Sequence, residues 1–171
     1  YTLILSFSVQ IEAIEVKVEK PHALRFTDTV MAQILGSDRY NRAMITLGSN
    51  IEAEVNVEKA LTALRELGIV SHQTNFIETQ ALKFTPQADF LNGAITLLTK
   101  KSLTELRLAL RTIEQQLGRV RGRNKNAPRE IDLDVTIFNG FLLEEREEFE
   151  ALPFLKDFLA ELEPILYREI N

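Results

Sequence analysis

Arg119-Val120-Arg121-Gly122-Arg123-Asn124-Lys125-Asn126-Ala127-Pro128-Arg129-Glu130-Ile131-Asp132-Leu133-Asp134-Val135-Thr136-Ile137-Phe138 joins a basic, turn-rich loop to an acid-bearing strand. Period-two alternation predicts Ile131, Leu133, Val135 and Ile137 on one face of that strand and Asp132, Asp134 and Thr136 on the other. The apolar face requires a core; the acidic face is left for chemistry. Two carboxylates at i and i+2 on a strand stand roughly 6.5 Å apart, which suits one shared hard cation or a pair of them, as in sites that transfer phosphoryl groups. Magnesium fits such donors, because it takes a few carboxylates together with phosphate oxygens of a substrate. Arg119, Arg121, Arg123, Lys125 and Arg129 are near in sequence to hold those phosphates. An Asp-x-Asp pair taken alone is more often an amphipathic strand with two solvated acids, so the rest of the chain has to decide.

Upstream of this strand, Leu103 to Leu117 places Leu103, Leu106, Leu110, Ile113 and Leu117 along one helix face. Ser102 is the expected cap, Glu105 its capping-box partner and Gly118 the stop. Met44-Ile45-Thr46-Leu47 reads as a short strand ended by Gly48-Ser49-Asn50, and Val55 to Leu67 as a helix closed by Gly68. Ile69 to Thr79 is strand-like, Lys83 to Asp89 a loop, and Phe90 to Thr99 another strand. Phe154 to Leu162 forms a last short helix that ends before Pro164. The order β-α-β-β-α-β over residues 42–171 predicts an α+β, ferredoxin-like sandwich, with helices over one face of an antiparallel sheet.

The first forty residues are of another kind. Val9, Ile11, Ile14, Val16 and Val18 alternate with charged residues up to Lys20-Pro21-His22-Ala23, and Phe26 to Ile34 returns as a second strand. Such an N-terminal β-hairpin is marginal alone and must dock on something. The chain starts with Tyr1 inside a strand pattern, so further sequence is expected upstream.

With 171 residues, 45% of them hydrophobic, the chain can bury one ample core and a small appendage. The absence of cysteine excludes a disulfide framework, a thiolate nucleophile and a cysteine zinc site. No apolar run is long enough for a membrane span and no leader pattern precedes the first strand, which predicts a soluble, cytoplasmic protein with no membrane partner. A net charge of −5 disfavours nucleic acid as a partner and aims the local basic loop at a small phosphorylated ligand.

Five motifs in order carry a resemblance: Leu47-Gly48-Ser49-Asn50, the loop at Thr79, Phe90-Leu91-Asn92-Gly93-Ala94, Ile113-Glu114 through Arg121, and Pro128-Arg129-Glu130-Ile131-Asp132-Leu133-Asp134. Over residues 42–140 the chain resembles the 6-hydroxymethyl-7,8-dihydropterin pyrophosphokinases of folate biosynthesis. The resemblance implies transfer of the terminal diphosphate of ATP to a dihydropterin alcohol, with release of AMP. It implies Asp132 and Asp134 as ligands of two Mg2+ ions, and Arg119 and Arg129 as catalytic clamps on the migrating diphosphate. Glu114, Arg121, the backbone at Val135 and, more distantly, Arg146 correspond to nucleotide contacts. Thr79, the backbone at Leu82, Phe90, Asn92 and Phe154 correspond to the pterin site. An asparagine amide that donates and accepts suits the mixed edge of a pterin, and phenylalanine suits its face. Core packing is an equal claimant for Phe90 and Phe154.

The tail departs from the family. In place of a Pro-His element and an arginine stands Arg146-Glu147-Glu148-Phe149-Glu150-Ala151-Leu152-Pro153, shorter and acidic, where acids repel polyphosphate. A degenerate paralogue that binds pterin or nucleotide without turnover therefore stays open. Residues 14–25 are similar to the last quarter of dihydroneopterin aldolase, in which a lysine at the place of Lys20 serves catalysis. A fragment of a bifunctional aldolase and pyrophosphokinase is thus a further reading, and it leaves open a homo-oligomer through the N-terminal segment.

Overall fold

The structure, a computed structural model, describes residues 40–80, 87–120, 127–143 and 152–170. Within them run β1 (Asn41–Ser49), α1 (Ala53–Arg65), β2 (Ile69–Gln73), β3 (Ile77–Thr79), β4 (Phe90–Thr99), α2 (Leu103–Gln116), β5 (Asp132–Phe138), β6 (Phe141–Leu142), α3 (Pro153–Leu162) and α4 (Pro164–Ile170). The expected N-terminal hairpin, with Lys20, lies outside the described residues.

All strands join one antiparallel sheet in the order β2-β4-β1-β5-β6, with β3 also paired to β4. One face is buried by α1 and α2. Val57, Ala60, Leu61 and Leu64 of α1 and Leu106, Leu110 and Ile113 of α2 meet Ala43, Ile45 and Leu47, Ile95 and Leu97, and Ile131, Leu133 and Val135. The Ser102–Glu105 capping box that starts α2 is formed in both directions, and Gly118 follows at φ +97°.

Three expectations are corrected here. Helices cover both faces of the sheet, not one. The second face carries Met44, Ala94 and Ile137, too apolar to be left in water, and Leu155, Phe158, Leu159 and Leu162 of α3 bury it. The helix expected over 154–162 does end before Pro164, at Leu162, but it is not the last: Pro164 opens α4, because the first helical position tolerates a residue without an N–H. Finally, Ile137 does not share a face with Ile131, Leu133 and Val135. The register against β1 jumps from Val135 opposite Ile45 to Ile137 opposite Met44, a bulge at Thr136 that turns Ile137 toward α3. Thr136 keeps its predicted place on the Asp face, buried with its hydroxyl 3.2 Å from that of Thr46.

The strand expected over 69–79 divides in two. Thr74 pairs with Ala94 through both its backbone N–H (2.9 Å) and its hydroxyl (3.0 Å), and the Phe76 ring lies where a side chain at Gly93 would stand. A side chain thus takes over strand pairing at the break.

Candidate active site

The bulged strand and the second sheet face together make the site. Registry places Asn92 of β4, Gly48 of β1 and Asp132 of β5 in one row across the sheet, with Ala94, Thr46 and Asp134 in the next. The first turn of α3 stands over the end of this face. Between them is a cavity of about 490 Å³ whose lining includes Thr79, Phe90, Asn92, Arg129, Asp132, Asp134 and Phe154. Seven of the residues singled out by sequence thus line one cavity, although they span seventy-five positions of chain.

At one end of the row the Asn92 amide is nine-tenths buried and donates to the Thr79 hydroxyl at 2.7 Å. The other end of the amide, Oδ1, lies beside Gly48. Phe90, partly exposed, lies next to Thr79 in register. Phe154 packs on Phe158 with ring centroids 5.7 Å apart, so its position is set by α3.

At the other end, Asp132 receives two guanidiniums, Arg119 on Oδ1 and Arg129 on Oδ2. Arg119 is shared with Glu114, whose carboxylate is almost fully buried and also accepts the Leu133 N–H at 2.9 Å. A buried carboxylate needs such partners. Glu114 is thus a buried, fully engaged carboxylate and not a solvated residue at a helix end. Arg129 also lies over the Phe90 ring, 5.8 Å from its centroid, and so touches both ends of the site. Asp134 is exposed on the same strand face. Val135 is buried on the opposite face against α1 and α2, leaving its backbone as its means of contact with a ligand. Leu82, Arg121 and Arg146 lie outside the described residues.

Asp132 and Asp134 offer hard oxygen donors of the type magnesium takes. Among the described residues no three His, Cys, Asp or Glu side chains gather as a complete cage, so a cation here would draw the rest of its shell from substrate oxygens and water. No helix among the described residues is long and apolar enough to cross a membrane.

Sequence reasoning treated Asn50 as part of a tight turn and missed its work. Its side chain is buried, donates to Gln87 Oε1 at 3.2 Å and Ala88 O at 3.1 Å, and accepts the Arg129 N–H at 2.8 Å. The one available signal was a polar residue directly after a strand whose last three residues, Leu47, Gly48 and Ser49, are buried.

The family model for 7,8-dihydro-6-hydroxymethylpterin-pyrophosphokinase (HPPK) matches residues 44–164. The chain is 32% identical to the 2-amino-4-hydroxy-6-hydroxymethyldihydropteridine pyrophosphokinase of Bacillus subtilis, over 73% of this chain and 76% of that protein. It is 31% identical to the protein of the same description from Aquifex aeolicus, over 69% and 78%. It is also 31% identical to the folic acid synthesis protein fol1 of Schizosaccharomyces pombe, over 88% of this chain but 22% of that protein. The chain thus spans about a fifth of the length of this longer relative. With the matched region enclosing every described site residue, the chain belongs to the 7,8-dihydro-6-hydroxymethylpterin-pyrophosphokinase family.

Proposed function

We propose that this protein transfers diphosphate from ATP to 6-hydroxymethyl-7,8-dihydropterin in folate biosynthesis and releases AMP. The observation that carries this reading is the row Asn92–Gly48–Asp132, which sets a heterocycle-binding amide and a cationic, acid-bearing phosphate end on one cavity floor. The central strands β2-β4-β1-β5, with α1 and α2 on one face, support a ferredoxin-like core to which α3 and α4 are added.

In this reading the alcohol oxygen forms a bond to the β-phosphorus of ATP. The bond from that phosphorus to the oxygen bridging it to the α-phosphorus breaks, AMP departs, and the alcohol proton passes to solvent. Such transfer asks the protein mainly for positioning and neutralisation of charge. Asn92 and Thr79 orient the heterocycle by hydrogen bonds, and Phe90 and Phe154 bound it by stacking. Arg119 and Arg129 neutralise the diphosphate as it moves, and Glu114 holds Arg119 in place. Magnesium ions, held by Asp132 and Asp134, would supply charge neutralisation on the phosphate oxygens. Arg121, Val135 backbone and Arg146 are assigned to the nucleotide and Leu82 backbone to the pterin by resemblance.

The alignment with fol1 covers more of the chain than residues 42–171 can supply, which supports reading the N-terminal segment as part of a longer folate-synthesis protein; an aldolase-like character of that segment rests on the resemblance of residues 14–25 alone. A second reading, a paralogue that binds without turnover, is favoured by one feature: Arg146 to Pro153, which stand in place of the Pro-His element and arginine of the family, are acidic, and with Glu144 and Glu145 they form a cluster that would repel polyphosphate. Mass-spectrometric detection of AMP and diphosphorylated pterin, after incubation with ATP, magnesium and the dihydropterin alcohol, tests the first reading. Binding of both substrates without either product would establish the second.

A further inference from the structure

Three glycines among the described residues have a neighbour closer than 3.0 Å to the position a Cβ would take, and the neighbours differ in kind. At Gly68 it is the backbone oxygen of Leu98, at 2.2 Å, and at Gly93 it is the Phe76 ring, at 2.5 Å. Those two glycines serve packing. At Gly48 the neighbour is Oδ1 of Asn92, at 2.7 Å, and the next side chain is Phe90, at 3.9 Å. Both belong to the candidate site.

Asn92 has little room to yield. It is 9% exposed, and its Nδ2 is held at 2.7 Å by the Thr79 hydroxyl. A side chain at position 48 would therefore break that bond or turn the amide away from the cavity. The backbone would not have to move, because the obstructed atom is the end of a side chain.

The geometry points to Gly48 as a positioning residue of the transfer reaction: its missing side chain lets the Asn92 carboxamide oxygen lie over β1, toward Asp132. Asn92 and Asp132 flank Gly48 on the two adjacent strands, so their backbones are roughly 10 Å apart at two inter-strand spacings. A heterocycle anchored at Asn92 must project its alcohol arm across Gly48 to reach the phosphate end. The bare Cα thus acts through Asn92: it sets the direction of the amide from which that arm starts. This inference rests on the function proposed above.

Gly48→Ala, compared with wild type and with the same change in an Asn92→Ala background, provides the test. In Gly48→Ala, kcat/KM for the dihydropterin alcohol falls at least tenfold while KM for ATP stays within twofold and the melting temperature stays within a few degrees. In the Asn92→Ala background, where the obstructed atom is gone, the same change lowers pterin affinity, read by calorimetry, less than twofold. An unchanged kcat/KM, or a penalty equally large in both backgrounds, overturns the inference. So does a failure to fold in both backgrounds, which would group Gly48 with Gly68. Absence of AMP formation by the wild type removes the functional reading and the inference with it, whereas an active wild type with an indifferent Gly48→Ala overturns the inference alone.

Discussion

Asn50 and Arg129 are joined in both directions: the Asn50 N–H donates to the Arg129 carbonyl at 3.2 Å, and the Arg129 N–H donates to the Asn50 side-chain oxygen at 2.8 Å. The other end of the Asn50 amide holds Gln87 and Ala88, just before β4. One side chain at the end of β1 therefore ties the approach to the pterin end to the approach to the phosphate end. Arg129 continues the tie through its contacts with Phe90 and Asp132.

Asn50→Ala should cost stability as well as activity. It removes three side-chain hydrogen bonds from a buried position and leaves the Arg129 N–H and the Ala88 carbonyl without these partners. At about 1 kcal/mol per bond, and more where a buried group is left unpaired, the loss is about 2 to 4 kcal/mol. Urea unfolding measures it, and an unshifted midpoint would show that the two loops hold their places without Asn50.

The two aspartates should separate in their effects. Asp134 is exposed, so Asp134→Asn is expected to abolish transfer while the melting temperature stays within a few degrees. Asp132→Asn removes the shared partner of two partly buried guanidiniums and should lower both activity and stability. Magnesium-dependent turnover, measured beside thermal melting, distinguishes them. Retained turnover in Asp134→Asn would remove this residue from the proposed metal pair.

Much of this site was legible because it follows from local rules. The Ser102–Glu105 box, the Gly118 stop and the alternation of Asp132 and Asp134 each need only residues a few positions apart. What escaped was set by tertiary partners. Nothing in the alternating run Ile131 to Ile137 announces the bulge at Thr136; it becomes visible only when β5 must serve α1 and α2 with one part and α3 with another. Pro164 reads as a stop locally, yet packing of Leu166 and Tyr167 on the second core lets a new helix begin there. Asn50 looked like turn chemistry because its partners are 37 and 79 positions away.

Arg129→Lys should slow the chemical step more than it weakens pterin binding. The planar guanidinium serves Asp132 and the Phe90 face together, a combination an ammonium does not reproduce. Because a charge clamp acts chiefly as the diphosphate moves, the single-turnover rate is expected to fall on the order of a hundredfold. A rate within twofold of wild type, with pterin affinity reduced instead, would reassign Arg129 to substrate binding.

The start of α2 should respond to acid. Hydrogen bonds from the Ser102 hydroxyl and N–H hold the Glu105 carboxyl below its ordinary value. A depressed folded-state pKa means the stabilisation is complete above the unfolded value, about 4.3, and fades as pH falls through the lower folded value. Glu105→Gln should flatten that part of the stability curve. An identical acid limb in wild type and variant would show that the capping carboxylate contributes nothing to it.

The last prediction concerns how α3 holds the far wall of the cavity. Arg42, at the start of β1, pairs with Glu163 and donates to the Leu162 carbonyl at 3.0 Å, one of the carbonyls a helix leaves unpaired at its C-terminus. Cation and helix end are complementary, and Glu163 is itself the joint at which α4 begins, accepting from the Tyr167 N–H at 2.9 Å. Arg42→Met keeps most of the aliphatic stem but leaves a buried carboxylate and a carbonyl without this donor. For a pair that is mostly but not wholly buried, the cost should be about 2 to 3 kcal/mol, below the 3 to 5 typical of fully buried pairs. Because Phe154 is positioned by packing on Phe158 within the same helix, loosening the C-terminal end of α3 should also weaken pterin binding severalfold while leaving ATP affinity unchanged. Urea unfolding and paired calorimetric titrations read the two effects. A stability loss with unaltered pterin affinity would show that the first turn of α3 is held by its own contacts and not through its distant end.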